Sequence, residues 1–351
     1  MFSDRVSQTF NLGLEVLTGC GFSCVGCTVD KNIAPLDISD TDADAMVAML
    51  EDLKQNDFRL LELKIGPTDI TTAANGLAVL EHPIIKKIAS YYKVIAINMA
   101  MMNDHNLVEI AERLDELAPG KYINVGVPIT LKNACNEKWM SILKQRMAYF
   151  RSLLKKAKFT RIYVTINIEH DNLVLFSDES YTTIRNMDFG EGFEKVIEFP
   201  FVHVRKGFEN ILVAEAFKRD LKHFADFVKT KIGTYEAVPL IPGHKEGFEY
   251  TYRSGAIYST IVLVENLTIF KDDFMLPKPW TAQAVVDDRE NSYHRILTEF
   301  SDHPQCGTCC FFDNCARCDV QRLMEETNSD TCLIEMHNRW DLAIYEGESH
   351  K

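Results

Sequence analysis

Short apolar runs alternate with longer amphipathic stretches over the first two thirds of the chain, and that alternation leaves few folds open. Runs at 10–18, 60–65, 93–98, 122–127, 161–168 and 195–204 read as strands. The stretches 40–55, 74–91, 105–117, 137–157 and 210–231 read as helices, with a shorter helical turn at 178–187. In the first run Phe10, Leu12, Leu14 and Val16 stand at every second position, the period of a half-buried strand. Ser39-Asp40-Thr41-Asp42 has the form of a capping box that opens the first helix. Strands separated by helices predict a parallel sheet with right-handed crossovers, an α/β fold. In such folds function collects in the loops at the C-terminal ends of the strands.

The loop after the first strand carries Cys20-Gly21-Phe22-Ser23-Cys24-Val25-Gly26-Cys27. Gaps of three and two residues fold the thiols of Cys20, Cys24 and Cys27 toward one point. A tetrahedral zinc site needs a fourth ligand from elsewhere, and a structural zinc knuckle stays open as a reading. A cubane cluster has four irons, so three cysteines leave one iron free to bind a substrate or cofactor.

CxxxCxxC after the first strand of an alternating β/α chain resembles the radical S-adenosylmethionine (radical SAM) enzymes. The resemblance implies an open, partial (β/α)6 barrel, a [4Fe-4S] cluster on Cys20, Cys24 and Cys27, and SAM chelated by the open iron. It implies reductive cleavage of SAM to a 5′-deoxyadenosyl radical that abstracts hydrogen from a substrate. The cofactors supply that chemistry; the protein supplies binding, orientation and shielding. Gly26 departs from the pattern, which usually has an aromatic there, and Phe22 is the nearby candidate to cover the cluster.

The same resemblance assigns roles along the strand ends. Gly66-Pro67-Thr68-Asp69 follows the second strand and is similar to the GGEP-type motif whose carbonyls receive the SAM amino group; the bland reading is a turn. Asn98 ends the third strand, near SAM or satisfying its own turn. Met99, Met101 and Met102 either line a pocket or fill the core. Gly126 in the fourth strand stands where relatives carry a Ser and offers only backbone. Arg146 or Arg151 on the next helix is a candidate partner for the SAM carboxylate, against a plain solvent-facing role. Cys135, in the loop after the fourth strand, is either a hydrogen-atom donor to a substrate radical or an inert buried thiol. At the end of the fifth strand Asn167, Glu169, His170, Asp171 and Asn172 suit ribose hydroxyls or substrate, with Asn167 and Asn172 resembling positions near the nucleoside.

The ten cysteines are clustered, three at 20–27 and six at 306–332, with Cys135 between. Two-residue gaps favour metal over disulfides and suit a reducing, cytoplasmic setting. Cys306, Cys309, Cys310, Cys315, Cys318 and Cys332 resemble the SPASM auxiliary-cluster extension, although the Cys315–Cys318 gap is two where that pattern has three. Mapped onto it, Cys306, Cys309, Cys315 and Cys332 hold one auxiliary [4Fe-4S] cluster, with Cys310 and Cys318 as spare or alternative ligands; zinc is the alternative. Pro239, Pro242, Gly243 and Gly247 mark a boundary, giving a barrel over 1–235 and a small cysteine-rich metal-cluster domain over 236–351. Within the latter, 256–264 and 267–270 read as a hairpin turning at Glu265-Asn266, and 334–344 as a closing helix.

Net charge is −13, from 38 Lys and Arg against 51 Asp and Glu, which argues against a nucleic-acid partner. No apolar run of about 18 residues is present to span a membrane, and Met1-Phe2-Ser3-Asp4-Arg5 is not a secretory signal. SPASM-like relatives mostly modify peptides or proteins, so the leading expectation is a peptide substrate (a RiPP-type modification) and an electron donor such as flavodoxin or ferredoxin. A small sugar-like or nucleoside metabolite is the second, and a non-catalytic iron–sulfur or zinc protein the third. Only nineteen residues precede Cys20, so a leader-binding domain is expected on another chain, if at all.

Overall fold

The structure is a computed structural model that describes residues 9–21, 38–101, 106–134, 136–169, 194–198, 202–203, 249–260, 275–301 and 344–345. The expected helices at 178–187 and 210–231, the strand at 267–270, His170, Asp171 and Asn172 lie outside the described residues.

Strands β1 (Thr9–Glu15), β2 (Arg59–Asp69), β3 (Val94–Asn98), β4 (Tyr122–Thr130), β5 (Lys158–Glu169) and β6 (Glu194–Glu198) lie side by side in sequence order. Each pairs with the next in parallel. Short β7 (Val202–His203) pairs with the end of β5, so the single strand expected over 195–204 is two. The hairpin of β8 (Glu249–Arg253) and β9 (Ala256–Thr260) joins the same sheet, with β8 parallel to β1. At the other edge β10 (Ile344–Tyr345) runs antiparallel to β6. The last residue of the expected closing helix is thus in a strand. The fold is α/β, with a mostly parallel mixed sheet.

Helices α1 (Asp40–Gln55), α2 (Gly76–Glu81), α3 (Pro83–Ala89), α4 (Leu107–Leu117), α5 (Leu131–Ala134) and α6 (Glu137–Leu153) fall between the strands, and α7 (Ala282–Ser301) follows the hairpin. Strand residues of one phase, such as Phe10, Leu12, Leu14, Leu63, Ile65, Ile97, Val125 and Val127, join Met46, Leu50, Ile88, Ile110, Leu114, Leu143 and Phe150 of the helices in one apolar core. Met99 and Met101 are buried in that core. Residues of the other phase, Asn11, Glu15, Lys64, Asn98, Thr130 and Arg253, are only half-buried.

Where element ends differ from expectation, local chemistry gives the reason. β1 stops at Glu15 rather than 18 because the N–H groups of Val16 and Leu17 both turn to the Gly66 carbonyl, 2.9 Å each. Gly66 and Pro67 do not end β2: residues 66–68 bulge between the partners of Ile65 and Asp69, and pairing resumes at Asp69 opposite Asn98. The helix expected over 74–91 splits at His82, because a residue before proline avoids the helical region. His82 sits at φ −63°, ψ 128°, and its ring accepts the Ile84 N–H. Helix α6 ends at Leu153 rather than 157 because the Asp115 carboxylate gathers the N–H groups of Lys155, Lys156 and Ala157 at 2.6–2.9 Å.

The expected turn at Glu265-Asn266 lies outside the described residues, while a hairpin that was not expected turns at Ser254-Gly255. Both turn residues have positive φ, 48° and 86°, as a tight two-residue hairpin requires. Helix α7 was not expected. Thr281 caps it through the Ala284 N–H, Asp52 of α1 takes the Ala282 N–H at 2.7 Å, and Ala282, Val285, Val286 and Arg289 face inward.

Candidate functional site

The C-terminal ends of β1, β2 and β3 meet at one edge of the sheet, and the chain leading to Cys20 is stitched across it. After Val16 and Leu17 have bonded to Gly66, the Thr18 N–H donates to Asn75 Oδ1 and the Asn75 amide donates to the Val16 carbonyl, both at 2.8 Å. The Ala74 N–H donates to the Thr18 carbonyl, also at 2.8 Å. Gly19 lies at φ +72°, a left-handed turn that suits glycine, and swings the chain outward. The Gly21 N–H then donates to Thr72 Oγ1 at 3.1 Å. Cys20 emerges as a free, half-exposed thiol with Thr72 Oγ1 4.0 Å from its sulfur. Cys24 and Cys27 lie outside the described residues, as do Cys135, Cys306, Cys309, Cys310, Cys315, Cys318 and Cys332.

The loop after β2 is rigid because Asp69 organises it. One carboxylate oxygen accepts the Thr71 N–H at 2.8 Å, the Thr71 hydroxyl, and the Thr72 N–H at 3.2 Å. The other accepts the Ala100 N–H and so ties this loop to the end of β3. Asp69 is buried, and its acceptor capacity is spent within the protein. Both lone pairs of the Gly66 carbonyl are likewise taken, by Val16 and Leu17. Among the described residues Pro67 O receives a long bond, 3.4 Å, from the Asn98 amide, and the buried Thr68 hydroxyl has no partner. A side chain built on Gly66 would meet nothing within 4 Å among the described residues, and Gly66 itself is buried at the foot of the cysteine loop.

Asn98 and Gly126 form a matched pair. They are register partners on β3 and β4, and a Cβ at 126 would lie 2.5 Å from Asn98 Oδ1. Gly126 thus makes space for the amide that reaches Pro67. Arg146 is half-buried on α6, and its guanidinium donates to the Met101 carbonyl at 2.8 Å, bracing the loop after β3. Asn167 stands on β5 opposite Thr130.

Charge gathers beside Gly66. Glu15 ends β1 in register with Gly66, and its carboxylate lies 3.7 Å from the Arg253 guanidinium at the end of β8. Burial pushes the Glu15 carboxyl above the usual range, and Arg253 and Lys64 only partly offset it. Deeper on this face Asn124 of β4 donates to the Glu62 carboxylate of β2 at 2.9 Å, and Asn11 of β1 accepts the Glu62 N–H.

The structure thus brings Cys20, Gly66, Pro67, Thr68, Asp69 and Asn98 to one edge, with Arg146 bracing a neighbouring loop. Sequence reading missed Glu15, Thr72, Asn75 and Arg253. Glu15 carried a signal, since it ends the polar phase of a strand that otherwise alternates cleanly. Thr72, Asn75 and Arg253 carried none, because only the fold brings them to β1. Among the described residues no group of three His, Cys, Asp or Glu side chains is placed to hold a metal ion, and no helix is long and apolar enough to cross a membrane. A scan against protein-family models finds no match, and a search of curated proteins finds no similar sequence.

Proposed function

We propose that this chain is a radical SAM enzyme on a partial (β/α)6 barrel, with a cluster held by Cys20, Cys24 and Cys27. The observation that carries the reading is the position of Cys20: directly after β1 of a sequentially ordered parallel sheet, braced against the β2 loop. A cysteine sulfur at that strand end, followed by two more cysteines, fits a cluster whose fourth iron takes a small ligand. When bound, the cluster and SAM supply the electron and the 5′-deoxyadenosyl radical that takes hydrogen from substrate.

The chain's own residues hold and orient. Asn75 and Gly66 fix the stem of the cysteine loop, and Asp69 fixes the wall opposite it. Among the described residues of this strand end, Asn98, Pro67 O and the Thr68 hydroxyl have bonding capacity left. Cys306, Cys309, Cys315 and Cys332 would hold one auxiliary cluster, with Cys310 and Cys318 as spare or alternative ligands. The substrate in this reading is a peptide. A second reading is favoured by the Glu15–Arg253 pair beside Gly66, which suits a small hydrophilic metabolite.

The test is anaerobic reconstitution with an iron count, followed by dithionite and SAM. About eight irons per chain and formation of 5′-deoxyadenosine are expected for two four-iron clusters. Product should vanish in Cys24→Ala and persist at a lower level in Cys315→Ala. Zinc at the first site with no SAM cleavage would overturn the reading.

A further inference from the structure

We infer that Thr72 is the hydrogen-bond donor that tunes the first cluster, by pointing its hydroxyl proton at the Cys20 sulfur; this rests on the cluster assignment proposed above. The hydroxyl has one proton and accepts at its oxygen. Its oxygen already accepts the Gly21 N–H at 3.1 Å. Among the described residues the proton has two acceptors in reach, the Asp69 carbonyl at 3.5 Å and the Cys20 sulfur at 4.0 Å. A neutral thiol is a weak acceptor, so without metal the carbonyl is favoured. A metal-bound thiolate is charged, and charge-assisted acceptors are the stronger ones, so metal loading turns the proton toward sulfur.

The position of Thr72 is set from three sides. Its N–H is held by the Asp69 carboxylate at 3.2 Å, its hydroxyl by the Gly21 N–H at 3.1 Å, and its side chain stands where a Cβ on residue 21 would reach. A side chain at 21 would press on Thr72 Cβ at 3.2 Å and Cγ2 at 3.3 Å, so glycine at that position keeps the hydroxyl close to the loop. Donors to ligand sulfur stabilise the reduced, more negative cluster and raise its potential, as outer partners of metal ligands do generally. Thr72 is therefore a positioning residue that makes the first cluster easier to reduce.

The experiment is a redox titration of the EPR signal that responds to SAM, in the reconstituted full chain and in Thr72→Val and Thr72→Ser. The expected result is a more negative midpoint for Thr72→Val at unchanged iron content, with Thr72→Ser restoring the wild-type value. A Thr72→Val midpoint equal to wild type would overturn the inference while leaving the cluster assignment standing. If Thr72→Val does not hold iron, deuterium exchange reads the same bond in Thr72→Ala. A strongly coupled deuteron present in wild type and Thr72→Ser but lost in Thr72→Ala supports the donor role; equal coupling in all three reduces Thr72 to a loop brace. A wild-type chain that takes no SAM-responsive cluster would sink the cluster assignment and this inference together.

Discussion

Replacing Asp69 by Asn separates a structural hub from a ligand contact. The substitution keeps shape and removes one acceptor and the charge. With the amide oxygen kept toward Thr71 and Thr72, the amide nitrogen faces the Ala100 N–H, donor against donor. One charge-assisted bond worth about 1.5–3 kcal/mol is lost, and a buried N–H is left unpaired at a further cost of about 1–3 kcal/mol. The flipped amide abandons the Thr71 and Thr72 donors instead, so neither rotamer escapes. The net expectation is a loss of about 3–5 kcal/mol, a large share of the roughly 5–15 kcal/mol that holds an ordinary domain folded. Urea unfolding of the metal-free full chain measures it, with Asp44→Asn as the control. Asp44 is exposed and only 3.9 Å from an exposed Lys87, so its loss should cost less than about 0.5 kcal/mol. If Asp69→Asn unfolds within about 0.5 kcal/mol of that control, the carboxylate does not organise the loop and the reasoning fails.

Gly126→Ala should destabilise the chain by about 1–3 kcal/mol, since the new methyl must push the Asn98 amide aside. In a double-mutant cycle with Asn98→Ala that penalty should largely disappear; additivity of the two changes would refute the pairing. Glu15 gives a pH test. Its carboxyl pKa is raised by burial, so its contribution is most favourable below the unfolded value near 4.5 and is lost as pH rises through the higher folded value. Glu15→Gln should therefore gain stability relative to wild type between pH 4 and pH 7; a difference that stays flat or reverses across that window would mean that Arg253 and Lys64, not burial, dominate.

Much of the fold was legible because periodicity is local. The α1 boundaries, 40 to 55, were readable from Ser39, whose hydroxyl accepts the Asp42 N–H. The break at His82-Pro83 was visible in the sequence and was passed over. Helix α7 was overlooked even though Ala282, Val285, Val286 and Arg289 carry helical spacing, and so was the β8–β9 hairpin, because Ser254-Gly255 was not weighed as a turn. The β2 bulge could not be seen, since it is fixed by what Asp69 finds on β3. The same holds for the site. Gly66, Asp69 and Asn98 were named from their place after strands, but Asn75 and Thr72 act on residues more than fifty positions earlier, and no local pattern reports such pairings.

The placement of β8 beside β1 has a consequence for biosynthesis. Tyr250 stacks on Phe10 at 4.9 Å, and the Arg289 guanidinium donates to the Thr9 carbonyl at 2.8 Å, across 280 positions of sequence. As the polypeptide leaves the ribosome, β1 keeps a bare hydrogen-bonding edge until residues near 250 emerge, and such edges invite pairing with other nascent chains. The strand that leads into Cys20 is thus among the last to be sealed, and contacts of such long loop closure form slowly.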